Sequence, residues 1–230
     1  ALAVPPPINE AIVEASEATY PILKALDPQA FESLTEKIGK LLLDIDSFKL
    51  GRAIDLGVDV FLTPPTETVT TFNGAVKEAF AGLKTDSCTR VPIPPRGLAD
   101  KFAKVASTTV DPAKLKALDL KWGPTLDALP KTDASICLPS VEALDKLALA
   151  QAEVARSFGT SEQLAFAKVA GPALKSKFTL GTLLPLVDDA KKVGANASPQ
   201  EKAAFQAAGK KVEAAAKREA VARKQAQQAQ

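Results

Sequence analysis

Two cysteines, Cys88 and Cys137, are the only residues of their type in the 230-residue chain. Each lies in a proline-containing break between helical patterns, where two side chains can meet without distorting a helix. Redox-active cysteines more often have two residues between them, as in Cys-x-x-Cys, and a lowered pKa, whereas 48 residues lie between Cys88 and Cys137. We therefore expect a structural disulfide, which for a loop of this length contributes roughly 4 kcal/mol to stability.

Two pairs of neighbouring carboxylates, Asp44 with Asp46 and Asp188 with Asp189, are the candidates for acid–base chemistry. Such catalysis needs two carboxyl groups that converge in a cleft and have pKa values pushed apart. The first pair spans a predicted helix boundary and the second lies on a polar helix face. We expect capping and surface roles for both pairs, not catalysis.

The composition argues against several classes of function. The chain contains no histidine, which is the commonest general base and metal ligand, and two cysteines alone cannot complete a structural zinc site. It lacks the glycine-rich loops that hold phosphates, and a net charge of +2 gives no overall nucleic-acid character. We expect no catalytic residue, no metal and no cofactor. No apolar run reaches the length of about 18 residues that a membrane span needs, so any membrane association would be peripheral and through a partner.

Helical periodicity covers most of the sequence. Apolar residues recur every three or four positions, and Asp27, Asp46 and Asp111 are placed as helix N-caps. We find no convincing set of strands and predict an all-α fold, a multi-helix bundle with proline-rich loops. The approximate helices are 8–26, 28–45, 47–62, 66–84, 98–105, 112–121, 141–158, 162–178, 180–193 and 199–226.

Prolines and glycines inside these patterns predict interruptions. Pro21 predicts a kink or a restart of the first helix. Gly171 with Pro172 predicts a break near residue 171. The sequence Trp122-Gly123-Pro124 predicts the end of a helix and a loop, where the Trp122 ring would either fill the core beneath the disulfide loop or anchor a partner.

The C-terminal segment begins with a capping box formed by Ser198 and Glu201. Seven basic residues stand against three acidic ones between Ser198 and the C-terminus. We divide the chain into a disulfide-stapled helical domain, 1–194, and a basic, alanine-rich C-terminal helix, 195–230. That helix is expected either to stand alone in solvent or to contact a partner.

Two segments are the predicted partner-binding elements. A short, rigid proline segment loses little conformational entropy on docking, and a basic helix can meet acidic loops through complementary charge. The predicted contact residues are Pro92, Pro94, Pro95, Arg96, Lys210, Lys211, Lys217 and Arg218.

The compartment is suggested by the start of the chain and by the cysteines. Ala1-Leu2-Ala3 has the form of a signal-peptidase site, and a disulfide implies an oxidising compartment. Residues 14–27, with the sequence EASEATYPILKALD, resemble a helix of the peridinin–chlorophyll proteins of dinoflagellates, and Arg52-Ala53-Ile54-Asp55 is similar to a further short motif of that family. Histidine takes part in chlorophyll coordination in that family, and this chain has none.

The resemblance, together with the helical, alanine-rich composition, implies a protein of the chloroplast thylakoid lumen. The extrinsic subunits and assembly factors of photosystem II are the nearest functional class. We therefore expect a non-enzymatic accessory or assembly factor that docks on the lumenal loops of photosystem core subunits, with photosystem II as the first choice. The alternatives are a soluble carrier of pigment or another hydrophobic ligand, an enzyme of unrecognised class, and a helical adaptor of another oxidising, secreted or periplasmic compartment.

Overall fold

The computed structural model describes residues 8–81, 83, 90–92, 96–129 and 135–228, and the side chains of 90–92, 96, 135, 136 and 227 lie outside this description. Within these ranges the chain is all-helical apart from two short strands. The helices are α1 (Ile8–Lys24), α2 (Pro28–Leu43), α3 (Ser47–Leu62), α4 (Thr66–Phe80), α5 (Arg96–Thr109), α6 (Pro112–Ala128), α7 (Val141–Ser157), α8 (Thr160–Lys175), α9 (Leu180–Val193) and α10 (Pro199–Gln228). The strands are β1 (Arg90–Pro92) and β2 (Ser135–Cys137).

The predicted N-caps are confirmed. The Asp27 carboxylate accepts a hydrogen bond from the Ala30 amide at 2.9 Å, and Asp46 and Asp111 cap α3 and α6 in the same way. At α10, the Glu201 amide donates to Ser198 Oγ at 3.2 Å, and the Ser198 amide donates to Glu201 Oε2 at 2.7 Å. These caps satisfy amides that lack a partner within the helix, so short polar motifs define the starts of α2, α3, α6 and α10.

The predicted helix end at residues 122–124 and the predicted break at residues 171–172 are wrong. α1 does not restart at Pro21, and a kink there stays a prediction. Pro21, Pro124, Pro172 and Pro185 each lie inside a continuous helix of the described chain. In particular, α8 continues through Gly171 and Pro172, and α6 continues past Trp122 to Ala128. A proline removes one backbone hydrogen bond and disfavours helix, but contacts with neighbouring helices can outweigh that local cost.

The absence of strands is also corrected. β1 and β2 form an antiparallel pair in which Arg90 lies opposite Cys137, Val91 opposite Ile136 and Pro92 opposite Ser135. Periodicity could not reveal three-residue strands, because alternation becomes readable only over about four to eight residues. The pair joins the two breaks that contain the cysteines.

The helices form an open, branched arrangement. α1 lies between α7 and α10; α7 contacts α4, which contacts α6; α3 contacts α5, α6 and α8; and α2 contacts α5 and α9. The core cluster at the α2–α3 corner consists of Ile45, Leu50 and Val105, with Leu42, Ile54 and Phe102 packed against it. Neither α1 nor α6 has a fully buried residue, so much of the apolar surface is only partly covered.

Lysines of later helices hold the two corners that follow α2 and α3. Lys101 Nζ donates to the carbonyl of Ile45 at 2.8 Å and also to that of Leu43. Lys121 Nζ donates to the carbonyl of Leu62 at 2.6 Å and also to that of Pro64. Carbonyls at the C-terminal end of a helix lack helical partners and carry partial negative charge. The two lysines therefore fix α5 and α6 on these corners.

Candidate functional site

The predicted disulfide lies partly outside the described residues. Cys137 is only 1% exposed, and no described cysteine is a free thiol. Cys88 lies outside the described residues, and the Cys88–Cys137 bridge stays a prediction.

The proline segment is likewise only partly described. The backbone of Pro92 is part of β1, and Arg96 begins α5. Pro94 and Pro95 lie outside the described residues, as do the side chains of Pro92 and Arg96. The proposed contact role of this segment therefore stays a prediction.

The basic C-terminal helix is not surrounded by solvent. α10 lies along α1 and buries Ala208 and Ala215, and Lys211 Nζ donates to the Glu14 carboxylate of α1. The expectation of a solitary solvated helix is wrong, because the small alanine face allows close approach to α1.

The other three predicted basic residues of α10 differ in their surroundings. Lys217 pairs with Glu213 one turn earlier, and Arg218 Nε donates to the Ala214 carbonyl at 3.3 Å. At about 100° per residue, Lys210 and Lys217 lie opposite the buried face that contains Ala208. They remain accessible to a partner.

The Asp44/Asp46 pair has capping roles, as predicted. Asp44 ends α2, whereas Asp46 accepts from the amides of Phe48 at 2.8 Å and Lys49 at 3.1 Å. The hydrogen bond from the Lys49 amide, followed by that from the Phe48 amide, lowers the pKa of Asp46. A carboxyl group held ionised in this way stabilises a helix start.

The Asp188/Asp189 pair departs from prediction. Asp188 is exposed, but Asp189 is 8% exposed and faces α2. There it accepts hydrogen bonds from Lys37 Nζ and, at 3.2 Å, from Ser33 Oγ. The Lys37 hydrogen bond is the main cause of its lowered pKa. Asp189 is thus a buried structural carboxylate and not part of a solvated face.

α9 buries Asp189 and Leu186, and four other large apolar residues of this helix face outward. Leu180 and Leu184 are 75% and 59% exposed, and Leu183 and Val187 are exposed beside them. These four positions follow the spacing of one helix face. We call this face, made of Leu180, Leu183, Leu184 and Val187, the α9 stripe.

The sequence analysis did not identify the α9 stripe as an exposed surface, although the apolar periodicity of α9 is visible in the sequence. The same spacing normally marks a face buried in a core. The periodicity of α9 does not indicate which of its faces packs against α2. The structure shows that α2 covers Asp189.

A second apolar feature lies between α2, α3, α5, α6 and α8. It is a cleft of about 370 Å³ whose walls are almost wholly apolar, and we call it the apolar cleft. Its rim includes Phe61, Phe166 and Leu174, which remain partly exposed. Its lining residues are Leu42, Ile45, Leu50, Ala53, Ile54, Gly57, Val58, Phe61, Phe102, Leu118, Phe166, Ala170, Ala173 and Leu174.

The position of Trp122 also corrects a prediction. Its indole lies within α6 and not in a loop, and Nε1–H donates to the Phe61 carbonyl at 2.8 Å. The ring makes edge contacts with Phe61 and Phe72 at centroid distances of 5.8 and 6.0 Å. Trp122 therefore joins α6 to α3 and α4.

The described residues contain neither a candidate metal site nor a candidate membrane span. No group of three or more potential ligands could hold a metal ion in this part of the chain. Over the same residues, no helix is both long and apolar enough to cross a membrane.

Comparison of the chain with protein-family models, with curated proteins and with solved structures finds no match.

Proposed function

We propose that the protein is a non-enzymatic accessory factor that docks on a larger protein assembly through the α9 stripe. The observation that carries this proposal is the orientation of α9, which buries Leu186 and Asp189 but leaves four large apolar side chains exposed. A contiguous apolar face that is exposed to solvent is typical of an interaction site. Burying one leucine side chain contributes about 1.5–3 kcal/mol, so covering the stripe would supply substantial binding energy.

For the partner we propose the lumenal side of a photosystem, with photosystem II first. This part rests on the sequence alone, namely the resemblance of residues 14–27 and the predicted disulfide. Lys210 and Lys217 add exposed positive charge that acidic lumenal loops would complement.

Co-sedimentation with detergent-solubilised photosystem II tests this proposal. The Leu180→Lys/Leu184→Lys double variant should lose co-sedimentation, because it places two charges in a surface that must be desolvated. Leu120→Lys is the matched control, since Leu120 is 72% exposed on α6 and away from the stripe. Equal binding by the double variant and the control, with both folded by circular dichroism, would refute docking through the stripe.

The apolar cleft favours a second candidate, a carrier of a hydrophobic ligand. Its volume of about 370 Å³ falls in the range of about 300–1,000 Å³ common for small-molecule sites. Gly57 lines the wall, and a Cβ there would lie 3.5 Å from the Phe166 ring. A leucine at position 57 should therefore obstruct the cleft.

Two measurements separate the carrier from the docking factor. A carrier purified from its source should hold an extractable apolar molecule, coloured if it is a pigment, and Gly57→Leu should release it. A ligand-free protein from the native source would count against the carrier and leave the docking proposal intact.

A further inference from the structure

A second cavity, of about 490 Å³, lies where the start of α1, the ends of α7 and α10 and the first half of α8 meet. It shares no lining residue with the apolar cleft or the α9 stripe. Its apolar wall consists of Ile8, Leu164, Ala155, Ala167, Ala216 and Ala220. Leu164 is 56% exposed at this site, so the wall is apolar but uncovered.

Charged groups line part of the same cavity. Glu219 Oε1 accepts from Arg223 Nη2 at 3.0 Å and lies 3.8 Å from Arg156 Nε. Arg223 Nη2 also donates to the Arg156 carbonyl at 2.7 Å. These contacts tie the end of α10 to the end of α7 and hold both guanidinium groups in place.

The lining has more positive than negative charge. Arg156, Arg223 and Lys224 are its cations, and Glu219 is its one carboxylate among the described lining residues. Arg156 is also paired with Glu153 at 3.1 Å. In the described part of the chain, Lys224 forms no ion pair, which leaves one exposed cation beside the apolar wall.

We propose that this cavity binds a single-chain amphiphilic anion, a long-chain fatty acid. Its acyl chain would cover Ile8, Leu164 and the alanine wall, and its carboxylate would face Lys224 and Arg223. A small polar anion would leave the wall uncovered, and a neutral hydrocarbon would gain nothing from the surplus positive charge. Charge attraction is stronger beside an apolar wall than in bulk water. This site goes beyond the proposed docking function and does not depend on it.

Titration calorimetry of the full chain with dodecanoate below its micellar concentration, and with 1-dodecanol below its solubility limit, tests the assignment. We expect one dodecanoate per chain, bound at least about fivefold tighter than the alcohol. Lys224→Gln should weaken dodecanoate binding about two- to fivefold and leave 1-dodecanol binding unchanged. Lys210→Gln is the control on the same helix. Equal affinities for the acid and the alcohol, or equal effects of the two lysine variants, would overturn the proposal.

Filling the cavity gives an independent test of its location. Ala167→Phe should abolish dodecanoate binding, whereas Gly57→Leu in the apolar cleft should leave it unchanged. The reverse pattern would place the ligand in the apolar cleft and overturn the assignment. Sedimentation with phosphatidylglycerol vesicles, without binding of monomeric dodecanoate, would assign the surface to a membrane instead. If Ala167→Phe does not fold, the comparison of the two lysine variants decides the question.

Discussion

Asp189 of α9 and Lys37 of α2 form an ion pair that holds the Asp189 side chain against α2. The Asp189 side chain is nearly covered, while that of Lys37 remains about half exposed. The backbone supports the same packing, because the Asp27 amide donates to the Val193 carbonyl at 2.9 Å. α9 and α2 therefore run in opposite directions. Asp189 and Leu186 are the buried residues of α9, whereas Leu180, Leu183 and Leu184 are exposed.

The first prediction concerns the pH dependence of this pair. The pKa of Asp189 is lowered from 3.8 in the folded protein, mainly by the Lys37 hydrogen bond. Its contribution to stability is therefore complete above the unfolded value and is lost as the pH falls through the lower folded pKa. Lys37→Gln should be less stable than the wild type at neutral pH, and the difference should disappear in acid, as followed by urea denaturation.

The control for this prediction is Lys191→Gln. Lys191 pairs with Asp188 at 3.8 Å, and both side chains are largely exposed, so its loss should change little. A Lys37→Gln difference that persisted well below pH 3.8 would show that the loss is one of packing and not of charge.

The second prediction concerns the close approach of α3 and α5 at Gly51. A Cβ at this position would lie 2.5 Å from Thr109 Oγ1 and 3.0 Å from Thr109 Cγ2. Gly51→Ala should destabilise by about 1–3 kcal/mol through overpacking, which exceeds the gain in helix propensity of up to about 1 kcal/mol. Chemical denaturation measures the change, and Thr109→Ala in the same chain should restore part of it.

Gly74 of α4 provides the matched control. A Cβ there meets nothing within 4 Å, so Gly74→Ala should stabilise by about 0.5–1 kcal/mol. Similar stabilisation by both alanine substitutions would mean that α3 and α5 can separate without cost.

The sequence predicted the positions of the helices better than it predicted which helices contact one another. Capping residues such as Asp27 and Ser198 act on amides two or three residues away, so the helix starts could be read locally. Pro124 and Pro172 misled the prediction because contacts with other helices compensate for their local cost. These contacts join residues far apart in the chain, and local patterns do not contain them.

The candidate sites show the same limit. The spacing of Leu180, Leu183, Leu184 and Val187 identifies an apolar face, but periodicity gives no information about what covers it. The sequence predicts Asp189 on the surface because its partner, Lys37, lies in a helix far away in the chain. The cavity near Lys224 combines four separated segments and has no local sequence pattern.

The third prediction concerns Trp122. Trp122→Phe keeps an aromatic ring but leaves the Phe61 carbonyl without its indole donor, which should cost about 1 kcal/mol. Trp122→Ala should cost about 3 kcal/mol, because it also removes the edge contacts with Phe61 and Phe72. Far-UV circular dichroism in urea measures both values.

Phe48 is the control for an aromatic residue without such contacts. Its side chain is 79% exposed, so Phe48→Ala should change the free energy of unfolding by less than about 0.5 kcal/mol. An equally small effect of Trp122→Ala would contradict the role of Trp122 in joining the helices.

The fourth prediction concerns Cys88 and Cys137. If they form a bridge, Cys88→Ala and Cys137→Ala should each cost up to roughly 4 kcal/mol, and the double variant should cost little more than either one. Thermal unfolding with and without a reducing agent measures this. A large effect of Cys137→Ala together with no effect of Cys88→Ala would mean that burial, and not a bridge, makes Cys137 important.

The last prediction tests the division of the chain after residue 194. Removal of 195–230 takes α10 away from α1 and breaks the Lys211–Glu14 contact, but α1 keeps the hydrogen bond from Asn9 Nδ2 to Glu153 at 2.8 Å. Hydrogen exchange should therefore speed up in α1 and remain slow in α2–α6, since exchange reports local opening. A chain that ends at residue 226 should behave like the full chain. Fast exchange throughout the shortened protein would show that α10 belongs to one cooperative unit with the rest and that the division is wrong.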